Sequence, residues 1–270
     1  MTGALKNFNF LLAFADDRTL RDIDDAGRQR LVEAIVRAGP SERAWRALLE
    51  LLASWPDDAA KEEVFTGLAQ SLQNWPDEVL AVNSSWTFLY GEDGRMSSLA
   101  RIVRSIAITH REQYGNRELK AILATPGIGD LRTLVIHKSE IYIQGIVALV
   151  LSPYLSRLTT LALESLVLNE DKFDTLFGAT NLGRLAKLRL KDVGLNTLRT
   201  QRLLDSALIR PVRQLELPYN ELDDATAGIL AASPKLQELT SLHLQGNLIH
   251  AAGRQVLMEK KSADLRIIFE

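Results

Sequence analysis

Aliphatic residues recur through the second half of the chain as Leu-x-x-Leu-x-Leu. Copies begin at Leu131, Leu158, Leu185, Val212 and Leu239, a step of 27 residues with no insertion. The fourth position is Leu134, Leu161, Leu188, Leu215 and Leu242, and the sixth is Ile136, Leu163, Leu190, Leu217 and Leu244. The eleventh is Ile141, Leu168, Leu195, Leu222 and Ile249, and the nineteenth is Leu149, Leu176, Leu203, Leu230 and Leu257. In a chain that is 46% hydrophobic, chance is a poor explanation for this. Leu-x-Leu at period two puts both side chains on one face of a short strand, and the later stretch is long enough for a helix of two to three turns. In the fourth copy Asp223 or Asp224 suits a helix cap, and Ser233-Pro234 ends that helix. One strand–turn–helix unit cannot bury its apolar face alone. Stacked copies can, with parallel strands on one side, helices on the other, and a curve with the strands concave.

A degenerate copy precedes the five. Val103, Ile106 and Ile108 repeat the 1-4-6 spacing, with Leu119, Ile122 and Leu123 as its helix. At the other end Leu265, Ile267 and Ile268 read as a final strand, an exposed edge open to pairing. The first hundred residues have a helical texture. Asp25 suits the cap of a helix with Leu31, Ala34 and Ile35 inward, ended by Gly39-Pro40. Ser41 caps a stronger one with Trp45, Leu48, Leu49 and Leu52 at helical spacing. A third, roughly 59 to 72, buries Val64, Leu68 and Leu72. A helical turn is expected around Val79 to Val82, and a tight turn over Tyr90-Gly91-Glu92-Asp93-Gly94. Trp-Pro-Asp occurs at 55–57 and again at 75–77. That is either a short helical repeat, or coincidence combined with helix capping. The expected organisation is a helical region at 1–94, a degenerate repeat at 95–130, and five repeats with a short terminal strand at 131–270.

Composition narrows the chemistry. The chain of 270 residues has no Cys, which excludes disulfides, thiolate metal sites and a thiol nucleophile. The formal net charge of -2 provides no global basic field for nucleic acid or anionic lipid. Residues 1–100 carry 16 acidic and 10 basic side chains against 18 and 22 in the remainder. This is either a pair of complementary surfaces or ordinary variation of solvated faces. No apolar run reaches the ~18 residues of a membrane span, and the first residues lack the pattern of a secretory signal, so a cytoplasmic location is expected.

The units at 239–247, Leu-Thr-Ser-Leu-His-Leu-Gln-Gly-Asn, and at 212–220, Val-Arg-Gln-Leu-Glu-Leu-Pro-Tyr-Asn, resemble the leucine-rich repeat family. Their length and helix resemble its ribonuclease-inhibitor-like class, here as a bacterial-type protein with a helical N-terminal region. Gly145 and Gly253 stand where that class often has Gly at the helix start. The resemblance implies an α/β fold: a curved, right-handed solenoid preceded by a helical cap, with a non-catalytic role in binding proteins. Asn220 and Asn247 occupy the position where the family's Asn bonds backbone. Ser139, Leu166 and Val193 replace that Asn in the first three copies. Leu166 and Val193 cannot do an amide's work, so their turns need other partners or an irregular register.

Residues between the leucines project onto the strand face. Lys187, Arg189 and Lys191 cluster on one strand, with Arg213 next door and Glu164, Asp192 and Glu216 flanking them. Tyr219 suits an aromatic anchor, and His243 lies on the next strand beyond it. The expected partner is a protein or peptide with an acidic component, and the competing reading is a face that is merely solubilising. Nucleic acid is disfavoured because the basic cluster is small and interleaved with acids. Membrane binding is disfavoured because the apolar face of the Trp45 helix suits a core. No dinucleotide, phosphate-loop, zinc-protease or nucleophile-elbow motif occurs, so no enzyme activity, metal or cofactor is expected. Gly127-Ile128-Gly129-Asp130 is a turn before a strand. Glu164 and Glu216 stand about 10 Å apart by strand spacing, with no aromatic sugar groove beside them. Self-association through the terminal edge or the helical region, and service as a regulatory subunit of a separate enzyme, are the alternatives.

Overall fold

The computed structural model describes residues 23–57, 59–83, 98–109 and 115–270. Eight strands form one all-parallel sheet in chain order: β1 (Ala81–Asn83), β2 (Ser105–Thr109), β3 (Thr133–His137), β4 (Thr160–Glu164), β5 (Lys187–Lys191), β6 (Gln214–Glu216), β7 (Ser241–His243) and β8 (Arg266–Ile268). Helices α1 (Asp25–Ala38), α2 (Glu42–Ser54) and α3 (Ala59–Ser71) come first. Between strands lie α4 (Gly115–Leu123), α5 (Ile143–Leu151), α6 (Glu170–Phe177), α7 (Thr197–Asp205), α8 (Asp224–Ala232) with the short α9 (Lys235–Glu238), and α10 (Ala251–Lys260). The arrangement fits a curved solenoid, because a helix needs about twice the lateral room of a strand.

The sheet register equals the sequence period. Thr133 pairs with Thr160, Thr160 with Lys187, Lys187 with Gln214 and Gln214 with Ser241. Each aliphatic position therefore lands beside its equivalent, and Leu134, Leu161, Leu188, Leu215 and Leu242 are all fully buried. The degenerate copy follows suit: Val103, Ile106, Ile108, Leu119, Ile122 and Leu123 join the same core. β6 stops at Glu216, two residues before Pro218, which has no N–H to offer the ladder.

After the strand, every unit turns at its eighth position with a left-handed backbone: Lys138, Ser165, Asp192, Tyr219 and Gly246 have φ of 47°, 51°, 51°, 56° and 69°. This costs about 1–2 kcal/mol for a residue with a Cβ. It turns the amide of each toward the next strand end, so that Lys138 donates to Glu164, Ser165 to Lys191, Asp192 to Pro218 and Tyr219 to Gln245. At the ninth position two asparagines hold the turn before their own. Asn220 Oδ1 accepts from the amides of Val193 and Leu195, both at 3.1 Å, and its Nδ2 donates to the Leu190 carbonyl at 2.8 Å. Asn247 does the same for the amides of Asn220 and Leu222. Leu166 and Val193 are instead buried as apolar side chains, and the five-residue pairing of β4 with β5 continues without irregularity. Ser139 bonds locally, its hydroxyl donating to the His137 carbonyl. The twelfth position starts each helix. Asn169, Asn196 and Asp223 cap α6, α7 and α8 through their side chains, whereas Tyr142 and His250 do not cap α5 and α10.

The N-terminal helices differ in detail from the sequence expectation. Asp24, one residue before Asp25, caps α1, and Val32 and Ile35 face inward with Arg28. In α3 it is Phe65 that is buried, while Val64 is half-buried. The turn expected around 79–82 ends at Leu80, where the Val79 and Leu80 amides both donate to the Pro76 carbonyl, and Ala81–Asn83 is instead the first strand, fixed by the Trp45 indole N–H donating to the Ala81 carbonyl at 2.8 Å. The expected turn at 90–94, and with it the expected boundary, lies outside the described residues. The two Trp-Pro-Asp tripeptides share a use that neither sequence reading foresaw. The Trp55 carbonyl and Asp57 carboxylate together accept from the Lys61 ammonium at 2.9 and 2.8 Å. The Trp75 carbonyl and Asp77 carboxylate together accept from the Arg104 guanidinium at 3.3 and 3.4 Å. Each tripeptide thus clamps a cation, and Asp77 also accepts from the Arg132 guanidinium at 3.3 Å.

Replacing Asn220 by Ala strands two buried amides and their facing carbonyls. Urea unfolding should show a loss of about 2–4 kcal/mol, against at most about 0.5 kcal/mol for an exposed control such as Asn74→Ala. Equal small losses would refute the amide ladder.

Candidate functional site

The strand face is built by alternation. In β3 and β5 the outer residues are half-exposed while Leu134, Ile136, Leu188 and Leu190 point inward. On β4 the short Ala162 is itself buried, leaving a low point between Val135 and Arg189. Register places Ala162 beside Arg189, Arg189 beside Glu216, and Glu216 beside His243.

Arg189 is the centre of an ion-pair ladder across three strands. Its Nε donates to Glu164 Oε1 at 2.7 Å, and its Nη1 donates to Glu216 Oε2. Lys187 Nζ lies 2.6 Å from Glu216 Oε1. His137 Nδ1 lies 3.6 Å from Glu164 Oε2, within ion-pair range but beyond hydrogen-bond length. The two carboxylates that looked like a distant pair are thus bridged by one guanidinium, whose planar fork suits two acceptors. Burial pushes the Glu216 carboxyl up, but bonds from Lys187 and Arg189 outweigh it and hold the group below its usual range. Burial likewise works against the Arg189 charge, and the two glutamates outweigh it, raising its pKa.

Lys191 and Tyr219 form a second group. The Lys191 ammonium sits 5.4 Å from the centroid of the Tyr219 ring, which is half-exposed. That ring lies on Gly246: a Cβ there would come within 2.5 Å of Tyr219 Cδ1. Glycine at 246 therefore serves both the positive φ and the aromatic platform. Arg213 is not part of either group. Its guanidinium turns to Glu238 at 3.1 Å and to the carbonyls of Arg210 and Val212. His243 lies beside Glu216 in register, partly buried, with its Nε2 enclosed and without a hydrogen-bond partner.

Sequence reasoning placed Lys138 and Ser165 at the eighth position of the strand face without singling them out, and it passed over Tyr142, Val167 and Lys172. Lys138, Ser139, Tyr142, Ser165, Val167 and Lys172 line a cavity of about 650 Å³ at the strand ends. The shared eighth position of Lys138 and Ser165 with Tyr219 was the available signal. Among the described residues no group of His, Asp and Glu has the arrangement to hold a metal ion, and no helix is long and apolar enough to cross a membrane.

The parallel sheet with its 27-residue register is consistent with a leucine-rich-repeat-type fold. No protein-family model matches the chain, and no curated protein matches it. Among solved structures, the chain is similar to a protein from Bacteroides fragilis at 12% identity, over 78% of this chain and 86% of that one, with a TM-score of 0.42. It is similar to an internalin from Listeria monocytogenes at 15% identity, over 64% of this chain and 50% of that one, with a TM-score of 0.35. At these values neither likeness assigns a function.

Because the Glu216 carboxyl is lowered in the folded chain, its stabilising contribution is complete above its ordinary value of 4.5 and is lost as pH falls through the lowered one. Urea midpoints followed from about pH 6 to about pH 3 should decline more steeply in the unaltered protein than in Glu216→Gln. Parallel declines would show that the ladder contributes nothing to acid sensitivity.

Proposed function

We propose that this chain is a non-catalytic protein-interaction module that binds a protein or peptide with an acidic component on its concave strand face. In this reading it is a right-handed, ribonuclease-inhibitor-like solenoid, and helices α1–α3 are its N-terminal cap. The observation that carries the reading is the ordered polar array on the strands. Arg189 is fixed between Glu164 and Glu216, so the face is pre-organised and little side-chain entropy remains to be lost on binding. Lys191 and Tyr219 stand beside it as an aromatic–cation pair of the kind that anchors interfaces.

A second reading has its own observation. β8 pairs only with β7, so its other edge carries no strand among the described residues. A second copy adding a strand there would make the chain an assembly protein. Mass that rises with concentration in sedimentation would favour that reading.

The test begins with capture of a partner from lysate by the tagged chain and proceeds to calorimetry with that partner purified. The double variant R189A/K191A should bind tenfold or more weakly, over 1 kcal/mol. Lys191→Ala alone leaves the ion-pair ladder whole, so a loss there reports the surface rather than folding. A partner bound equally by all three would move the contact off the strands.

A further inference from the structure

The charges of the strand face are not equally available. Glu164, Arg189, Glu216 and Lys187 bond one another, and two cations there face two carboxylates. A ligand's anion arriving at Arg189 has to displace a carboxylate already in place. The lysines at the strand ends differ. Among the described residues no acidic side chain pairs with Lys138, which is exposed in the left-handed turn that follows β3. Lys172 donates one of its three protons to the Val167 carbonyl at 2.9 Å, which fixes the ammonium and leaves two donors.

Both lysines line the cavity of about 650 Å³ beyond the ends of β3 and β4. Ser139 and Ser165 add hydroxyls. The apolar wall is exposed: Val167 is 87% and Tyr142 57% accessible. Tyr142 occupies the position where the next three helices carry a capping Asn or Asp, and its side chain does no capping. Glu140, the one carboxylate in the lining, accepts from the Tyr142 hydroxyl at 3.3 Å. An apolar valine and a tyrosine standing in solvent beside two cations match one kind of occupant, an anionic group next to an aromatic or aliphatic one.

We propose that this cavity is a binding subsite for an acidic side chain and its apolar neighbour in an extended peptide segment. The carboxylate sits between Lys138 and Lys172, and the apolar neighbour covers Val167 against Tyr142. The proposal rests on the protein-binding reading above and relocates its anionic anchor from Arg189 to the strand ends. The size suits two or three side chains rather than a folded domain.

The experiment is an amide chemical-shift titration of the full chain with acetyl-Asp-Phe-Asp amide, repeated with acetyl-Asn-Phe-Asn amide. Saturable shifts at Lys138, Ser139, Tyr142 and Val167 are expected with the acidic peptide, and at least tenfold weaker binding with the neutral one. K138A/K172A should lose tenfold or more while its other amide resonances keep their positions, and R189A/K191A should change affinity less than twofold. Absence of saturable shifts at the cavity, or equal response to both peptides, overturns the proposal. If the cavity binds the acidic peptide as described but a captured partner ignores R189A/K191A, the strand-face reading fails and the subsite stands.

Discussion

Everything in this molecule depends on strand register. A strand has a side-chain period of two, so pairing shifted by one residue would turn its leucines from the core to solvent. The 28-residue step from β2 to β3 keeps Ile106 beside Leu134 because the added residue lies between the strands. Five consecutive units of 27 residues keep the same positions in register from Thr133 to Ser241. The buried polar backbone at each turn must then be satisfied in the same register. Asn220 and Asn247 do this by reaching back to the preceding unit, so that their amides tie two repeats together where the leucines alone would only fill space.

The same register arranges the electrostatics. Residues that are 25 to 27 positions apart in the chain become lateral neighbours, which sets Arg189 between Glu164 and Glu216. Once paired, those groups are a frame rather than a free field. Just past the ends of β3 and β4, no ion pair engages Lys138 or Lys172 among the described residues, and Glu140 is the one carboxylate in the cavity lining. Lys138 and Lys172 outnumber that carboxylate there, beside the Tyr142 and Val167 surface. A pre-organised frame with charge available at its border is a sound basis for recognition, since it separates the groups that give order from those that give affinity.

The sequence made the strands legible because burial selects aliphatic residues at every repeat. It also made Ser41 and Asp223 legible as caps, since a side-chain acceptor just before an apolar helix has one common use. What it hid was lateral and conformational. Arg213 looked like a neighbour of the basic strand, yet its long side chain found Glu238 and two carbonyls away from the face. Left-handed backbone at the eighth position is not written in residue type when Lys, Ser, Asp and Tyr all adopt it, and only Gly246 hinted at it. The segment at 81–83 is too short for a period to show, and it became a strand because β2 and the Trp45 indole were there to hold it. The Trp-Pro-Asp clamps depend on Lys61 and Arg104, which nothing local marks as partners.

Amide hydrogen exchange on the free chain tests the central claim most directly. If the asparagine ladder and the strand register hold the stack together, the amides of Val193, Leu195, Asn220 and Leu222 exchange as slowly as the strand amides of Leu188 and Leu190, although they lie in turns. Exchange of those four at the rate of exposed loops, with the strands still protected, would contradict the account.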